Sequence, residues 1–220
     1  LESTLKQTLK MLSAEFSLDI KRPAALAAAA LQVFALGLLC YLSNPFIQDK
    51  TWNSLFWLSV IFSTLQAVSK GFVGISKARW IYLNQLASPA AIILAKIGYN
   101  WAIMIGLCLV NLLVFVFFMQ FPVLHILPYM GFVVLVSGGM ATVFTMISAI
   151  ASKTTHPGFL LPVLSLPVIL PLLLIGVQGS VKCMMPLLAE TVYVDLLLLL
   201  ALNLLLFILT AVLFNPLWRE

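Results

Sequence analysis

The chain has 220 residues, of which 63% are hydrophobic and only 9% charged, with a formal net charge of +5. No water-soluble domain of this size needs so much apolar material, which leaves no soluble body to carry catalysis or nucleic-acid binding. A mean hydropathy of +1.13 points instead to helices crossing a hydrocarbon layer of about 30 Å, each needing about 17–25 apolar residues at about 1.5 Å rise.

Residues 1–22 form a separate unit, with Leu5, Leu9, Leu12, Phe16 and Ile20 at helical spacing and Lys6, Lys10, Glu15, Asp19 and Lys21 on the remaining faces. The pattern predicts an amphipathic helix lying on the membrane surface, or alternatively one packed on the chain's own loops, before Pro23 opens the first span. The chain starts at Leu1 rather than methionine, which fits a few preceding native residues. Residues 23–220 form the membrane unit, an all-α, polytopic arrangement with six expected spans. These are Ala24–Leu42, Trp52–Val68, Ile97–Met119, Tyr129–Ala151, Phe159–Val177 and Tyr193–Phe214. The first lies too far from the start, and lacks the small-residue cleavage site, to be a removable signal peptide.

Span two carries Ser59, Ser63, Thr64 and Gln66, too polar for lipid on every side, so it should face protein or a solvated path on which Ser63 and Gln66 are the candidates. A polar break follows at about Lys70–Lys96. Within it Trp80, Leu83, Leu86 and Ala87 share one side of a short amphipathic helix, while Arg79 and Gln85 point elsewhere. Ser88 followed by Pro89 has the form of an N-cap and first helical residue, so a new helix should start there, with Lys96 two turns in and snorkelling to the surface. The break reads either as a surface that receives force from another protein or as an ordinary interfacial loop anchored by an aromatic.

Ten of the twelve Lys and Arg residues, Lys6, Lys10, Lys21, Arg22, Lys70, Lys77, Arg79, Lys96, Lys153 and Arg219, fall on one side of this layout, against Lys50 and Lys182 on the other. Cytoplasmic loops carry the excess of basic residues, so both termini and the polar break should be cytoplasmic. The positive charge is a topology signal rather than a nucleic-acid footprint.

Span four offers Gly138, Thr142, Thr145, Ala149 and Ser152 at helical spacing, a stripe for close helix packing. Span five holds Pro162, Pro167 and Pro171 after Pro157, which predicts a kinked or discontinuous helix, serving either as a hinge or as a tolerated irregularity. His125 and His156 fall on opposite sides of this layout, so they cannot serve one site together. Cys40, Cys108 and Cys183 lack metal-site spacing, and Cys183 should face the oxidising side as the reactive thiol of the three. Glu190 and Asp195 offer a carboxylate pair for an intramembrane enzyme, or solvated charges at a helix start. Trp52, Trp57, Trp80, Trp101 and Trp218 read as interface anchors.

The stretch ASPAAIILAKIGYNW, Ala87–Trp101, and the proline-studded Phe159–Gly176 resemble the permease subunit of the cytochrome c maturation transporter, the haem exporter protein B family. Length, six spans and the N-terminal helix agree over essentially the whole chain; a departure is that no acidic residue lies between Lys70 and Lys96. The resemblance implies an ABC-2, type V exporter-like membrane domain with an N-terminal connecting helix and a short cytoplasmic coupling helix between spans two and three. The ATPase-docking residues would be Lys77, Ala78, Arg79, Trp80, Leu83, Gln85, Leu86 and Ser88. The sequence contains no GxxxxGK[ST] phosphate loop, so ATP would be hydrolysed by a separate ABC ATPase subunit and this chain would not itself be an enzyme. Further implied partners are a second permease copy, a haem-handling membrane subunit and a periplasmic haem chaperone, in a bacterial inner membrane. Haem would be the transported or handled species, with no cofactor or metal held by this chain; the two histidines, on opposite sides, could not sandwich one haem, and His125 alone would be the candidate axial ligand. The same architecture exporting a lipid or polysaccharide is the alternative.

Overall fold

A computed structural model describes residues 8, 11–12, 24–43, 47–72, 89–151, 157–187 and 190–219. The described residues include six long helices, α1 (Ala24–Ser43), α2 (Asp49–Phe72), α3 (Pro89–Phe118), α4 (Ile126–Ala151), α5 (Pro157–Lys182) and α6 (Thr191–Arg219). The described residues contain no strand. Four of the helices, α3 to α6, are long and apolar enough to cross a membrane. The described part of α1, Ala27–Ser43, is apolar but shorter, and α2 is held out of that group by its polar residues. The chain is therefore a helical membrane protein.

Helix α3 begins at Pro89 and runs unbroken to Phe118, so the proline does open a helix that continues into the third apolar stretch. Its Ile93, Lys96, Ile97 and Asn100 are spaced three, four and seven apart and share one face. Ile93 and Ile97 pack with Ala149 of α4, which turns this face inward. Lys96 consequently lies buried, 8% exposed, rather than snorkelling to the surface as the sequence predicts. Of the N-terminal apolar stripe only Leu12 is described; it is helical and meets α3 at Gly98.

Helix α4 is the hub. It packs chiefly against α3, α5 and α6, and 78% of its most apolar stretch is buried, against 17% for α6. The difference follows from side-chain size. α4 offers Ser137, Gly139, Ala141, Thr142, Thr145, Ser148 and Ala149 to its neighbours, small groups that let three helices approach at once. α6 is leucine-rich, and Leu197, Leu204, Leu205 and Ile208 remain more than half exposed, as suits a surface wetted by lipid tails. α1 lies against α2 and α3, with Phe34 and Tyr41 against Phe118.

Two expectations are corrected in this frame. Trp52 and Trp57 are core residues, 2% and 1% exposed, rather than interface anchors. They sit with Phe56 on one side of α2, where Trp52 stacks on Phe56 at 5.7 Å and meets Phe115 edge-on at 5.6 Å. Trp101 is half-exposed, while the side chains of Trp80 and Trp218 lie outside the described residues. α5 is also one continuous helix that contains Pro162, Pro167 and Pro171. Pro167 and Pro171, four residues apart, occupy its exposed face with Val163, Leu170 and Leu174, while Leu161, Ser165, Ile169 and Leu172 face the core. Two of the three prolines thus stand away from the helix's core face, and of a kinked or a discontinuous helix the discontinuous one is ruled out.

The α4–α5 contact depends on two absent side chains. A Cβ at Gly176 would strike Val136, and one at Gly179 would strike the ring of the fully buried Phe132. Gly179→Ala is expected to cost about 1–3 kcal/mol in reversible unfolding from bicelles, because a rigid ring must move. Gly106→Ala, with nothing within 4 Å of its would-be Cβ, should stay within about 0.5 kcal/mol of the parent.

Candidate functional site

The buried polar groups of the bundle gather along α2 in two clusters. Nearer its start, Asn53 Nδ2 donates to Ser180 Oγ at 2.9 Å and to the Val177 carbonyl at 3.0 Å. Trp57 Nε1 donates to the same Ser180 oxygen at 2.9 Å, and the Tyr129 hydroxyl reaches Asn53 Oδ1 at 3.4 Å. The Ser180 hydroxyl lies 3.1 Å from both Asn53 Oδ1 and the Val177 carbonyl, either of which can take its proton. All four side chains are fully buried, so α2, α4 and α5 are joined by a network closed to lipid and water.

Two turns further, the Ser59 hydroxyl donates to Asn111 Oδ1 of α3, and Asn111 Nδ2 donates to Ser63 Oγ and to the Leu107 carbonyl, each at 3.1 Å. Ser63 and Thr64 return their hydroxyl protons to α2 carbonyls at 2.8 Å. Of the two path candidates, Ser63 is therefore fully buried in the α2–α3 contact, whereas Gln66 is half-buried near the other end of α2. Two further amides tie the hub to its neighbours. Asn100 of α3 donates to Thr145 Oγ1 at 2.8 Å, and Asn203 of α6 donates to the Leu135 carbonyl at 3.1 Å. These groups are neutral donors and acceptors. They fix helix positions by bonding to one another and hold no charge with which to neutralise an ion.

Sequence reasoning singled out the serines of α2 and missed Asn53, Asn100, Asn111 and Asn203. A single amide inside an otherwise apolar run was the available signal, because its burial in lipid is costly without an internal partner.

An apolar groove of about 240 Å³ opens sideways between α3, α4 and α6, lined by Ile97, Trp101, Gly138, Leu200, Asn203 and Phe207. Trp101 Nε1 is satisfied there by the Val134 carbonyl at 3.1 Å. At the end of the bundle that holds the α3–α4 link, Lys182 pairs with Asp195 at 2.6 Å. Asp195 thus has a cation as its partner, and Glu190 is exposed. The Leu124 and His125 amides both donate to the Cys183 carbonyl, at 3.3 and 3.0 Å, fastening the α3–α4 link to the end of α5. His125 Nε2 is buried without a hydrogen-bond partner among the described residues.

Cys183 differs from its expected reactive character. It is fully buried, its thiol faces the Gly179 carbonyl at 3.9 Å, and burial together with the nearby Asp195 carboxylate pushes its pKa up to about 11. The expected docking residues Lys77, Ala78, Arg79, Trp80, Leu83, Gln85, Leu86 and Ser88, like His156, lie outside the described residues. Comparison of the chain with protein-family models, curated proteins and solved structures finds no match.

Asn111→Ala is expected to cost about 1–2 kcal/mol in bicelle unfolding, since it strands the Ser59 hydroxyl; adding Ser59→Ala should recover part of that loss. For Cys183, a folded-state pKa of about 11, against an ordinary 9.0, leaves the native thiol protonated. In a Cys40→Ser, Cys108→Ser background its alkylation by maleimide at pH 8 should be on the order of a hundredfold slower in the native than in the denatured protein. The linked stability is full below pH 9.0 and is lost as pH climbs toward about 11, because the unfolded thiol ionises first.

Proposed function

We propose that the chain is the permease subunit of an ATP-driven ABC-2 type exporter supporting cytochrome c maturation, working as a pair of copies with a separate ATPase. In this reading all six helices span a bacterial inner membrane and both termini are cytoplasmic. The observation that carries it is the join at Pro89. A basic segment with Lys77 and Arg79 leads directly into a helix that starts at that proline and runs 30 residues without a break. A short element docked on an ATPase there would push on α3, and α3 is packed against the hub α4.

Supporting features are the ten-to-two division of basic residues, the proline-bearing α5 and the absence of a phosphate loop from the sequence. The haem-handling subunit and the periplasmic haem chaperone enter with the family resemblance alone. Export of a lipid by the same architecture is the second reading. It is favoured by the apolar side groove between α3, α4 and α6, which is open to acyl chains.

The test is purification of the intact assembly with Lys77→Glu/Arg79→Glu as the variant. The parent chain is expected to bring down an ATPase, and the variant to lose both that association and cytochrome c assembly. Recovery of the parent without any ATPase under conditions that preserve membrane assemblies would contradict the proposal. Release of haem-loaded chaperone that is unchanged by deletion, with altered lipid composition, would favour lipid export.

A further inference from the structure

At the end of the bundle that holds the α3–α4 link, a cavity of about 270 Å³ lies between the start of α2 and that link, and its wall includes Gln48, Asp49, Trp52, Gln120, Phe121 and Pro122. Trp52 is the group that needs explaining. Its ring is packed by Phe56, Phe115 and Phe121, and its backbone amide is taken by the Gln48 carbonyl at 2.9 Å. Its indole Nε1–H is buried yet meets no acceptor among the described residues. A buried donor left unpaired is costly, so a wall with one such donor calls for an occupant that carries an oxygen.

Asp49 sets the other half of the chemistry. It is exposed, has no ion-pair partner among the described residues, and stands one helical turn above Trp52, which places a carboxylate at the mouth of the cavity and the indole N–H deeper. A carboxylate at the mouth repels anions and favours an ammonium group. Phe121 and Pro122 supply apolar wall, and Phe121 together with Leu124 leaves apolar surface exposed beside the opening. The site thus offers a carboxylate at the mouth, a hydrogen-bond donor deeper, and apolar surface beside the opening. These complement the three parts of a zwitterionic phospholipid, its ammonium, its phosphate and ester oxygens, and its acyl chains.

We propose that this cavity seats the headgroup of a net-neutral, ammonium-bearing phospholipid from the adjoining leaflet, its ammonium against Asp49 and one of its oxygens accepting from Trp52 Nε1. The seat lies at the other end of α3 from Ile97 and Asn100, and it is separate from the side groove. It would make this end of the α2–α3 contact depend on lipid composition.

The test uses the full chain, purified in detergent and examined by native mass spectrometry with phosphatidylethanolamine or phosphatidylglycerol of identical acyl chains, and with soluble phosphoethanolamine as a third arm. The parent should retain phosphatidylethanolamine over phosphatidylglycerol by about fivefold or more, and bind the soluble headgroup far more weakly. Asp49→Asn, at an exposed position, should abolish the preference. Trp52→Phe, which removes the N–H but keeps an aromatic ring and breaks no hydrogen bond among the described residues, should lower phosphatidylethanolamine retention. Equal retention of the two lipids by the parent, or a preference that survives Asp49→Asn, would overturn the proposal. Retention unchanged by Trp52→Phe would overturn the assigned acceptor contact, and soluble headgroup binding as tight as the lipid would overturn the membrane source.

Discussion

A polar group buried away from water must find its hydrogen-bond partners inside the protein, and the arrangement of this bundle follows from how α2 meets that constraint. α2 carries Asn53, Ser59, Ser63 and Thr64 into the bundle interior, and all four are buried with partners inside the protein. Asn53 is the strictest case. Its amide needs several partners at once, and the structure supplies Ser180, Val177 and Tyr129 from two other helices. Satisfying one side chain thereby sets the rotation of α2, the height of α5 and the contact of both with α4.

The hub then distributes that placement. Small residues along α4 let α3, α5 and α6 close in, and single amides on α3 and α6 lock their register through Asn100–Thr145 and Asn203–Leu135. Outward from these contacts the side chains become larger and purely apolar, until Leu197, Leu204 and Leu205 of α6 are left facing lipid. A force applied at the start of α3 would reach α4 through the buried face of Ile93, Lys96, Ile97 and Asn100, which is the physical basis for the permease proposal.

Much of this was legible from residue order because lipid imposes simple rules. The apolar runs located α3, α4, α5 and α6, the Ser88–Pro89 pair marked where α3 begins, and the small stripe of span four identified a packing face. What stayed illegible depends on orientation about the helix axis. Tryptophans are as common at membrane interfaces as in cores, so only the packed structure turns Trp52 and Trp57 inward, where Trp57 finds Ser180. Lysine stems snorkel when they can, but the face shared with Ile93 and Ile97 directs Lys96 into the bundle. Prolines warn of a break, yet Pro167 and Pro171 stand on the exposed side of α5, where a missing amide disturbs no neighbour. Cysteine chemistry follows burial rather than compartment, and Cys183 is enclosed.

The claim on which these relations rest is that Asn53 and Ser180 act as one unit joining α2 to α5. A double-mutant cycle with Asn53→Ala and Ser180→Ala, measured by reversible unfolding in bicelles, addresses it directly. The account predicts a coupling of about 1 kcal/mol or more, at the upper end of interhelical hydrogen bonds in membranes. Additive losses from the two substitutions would contradict it.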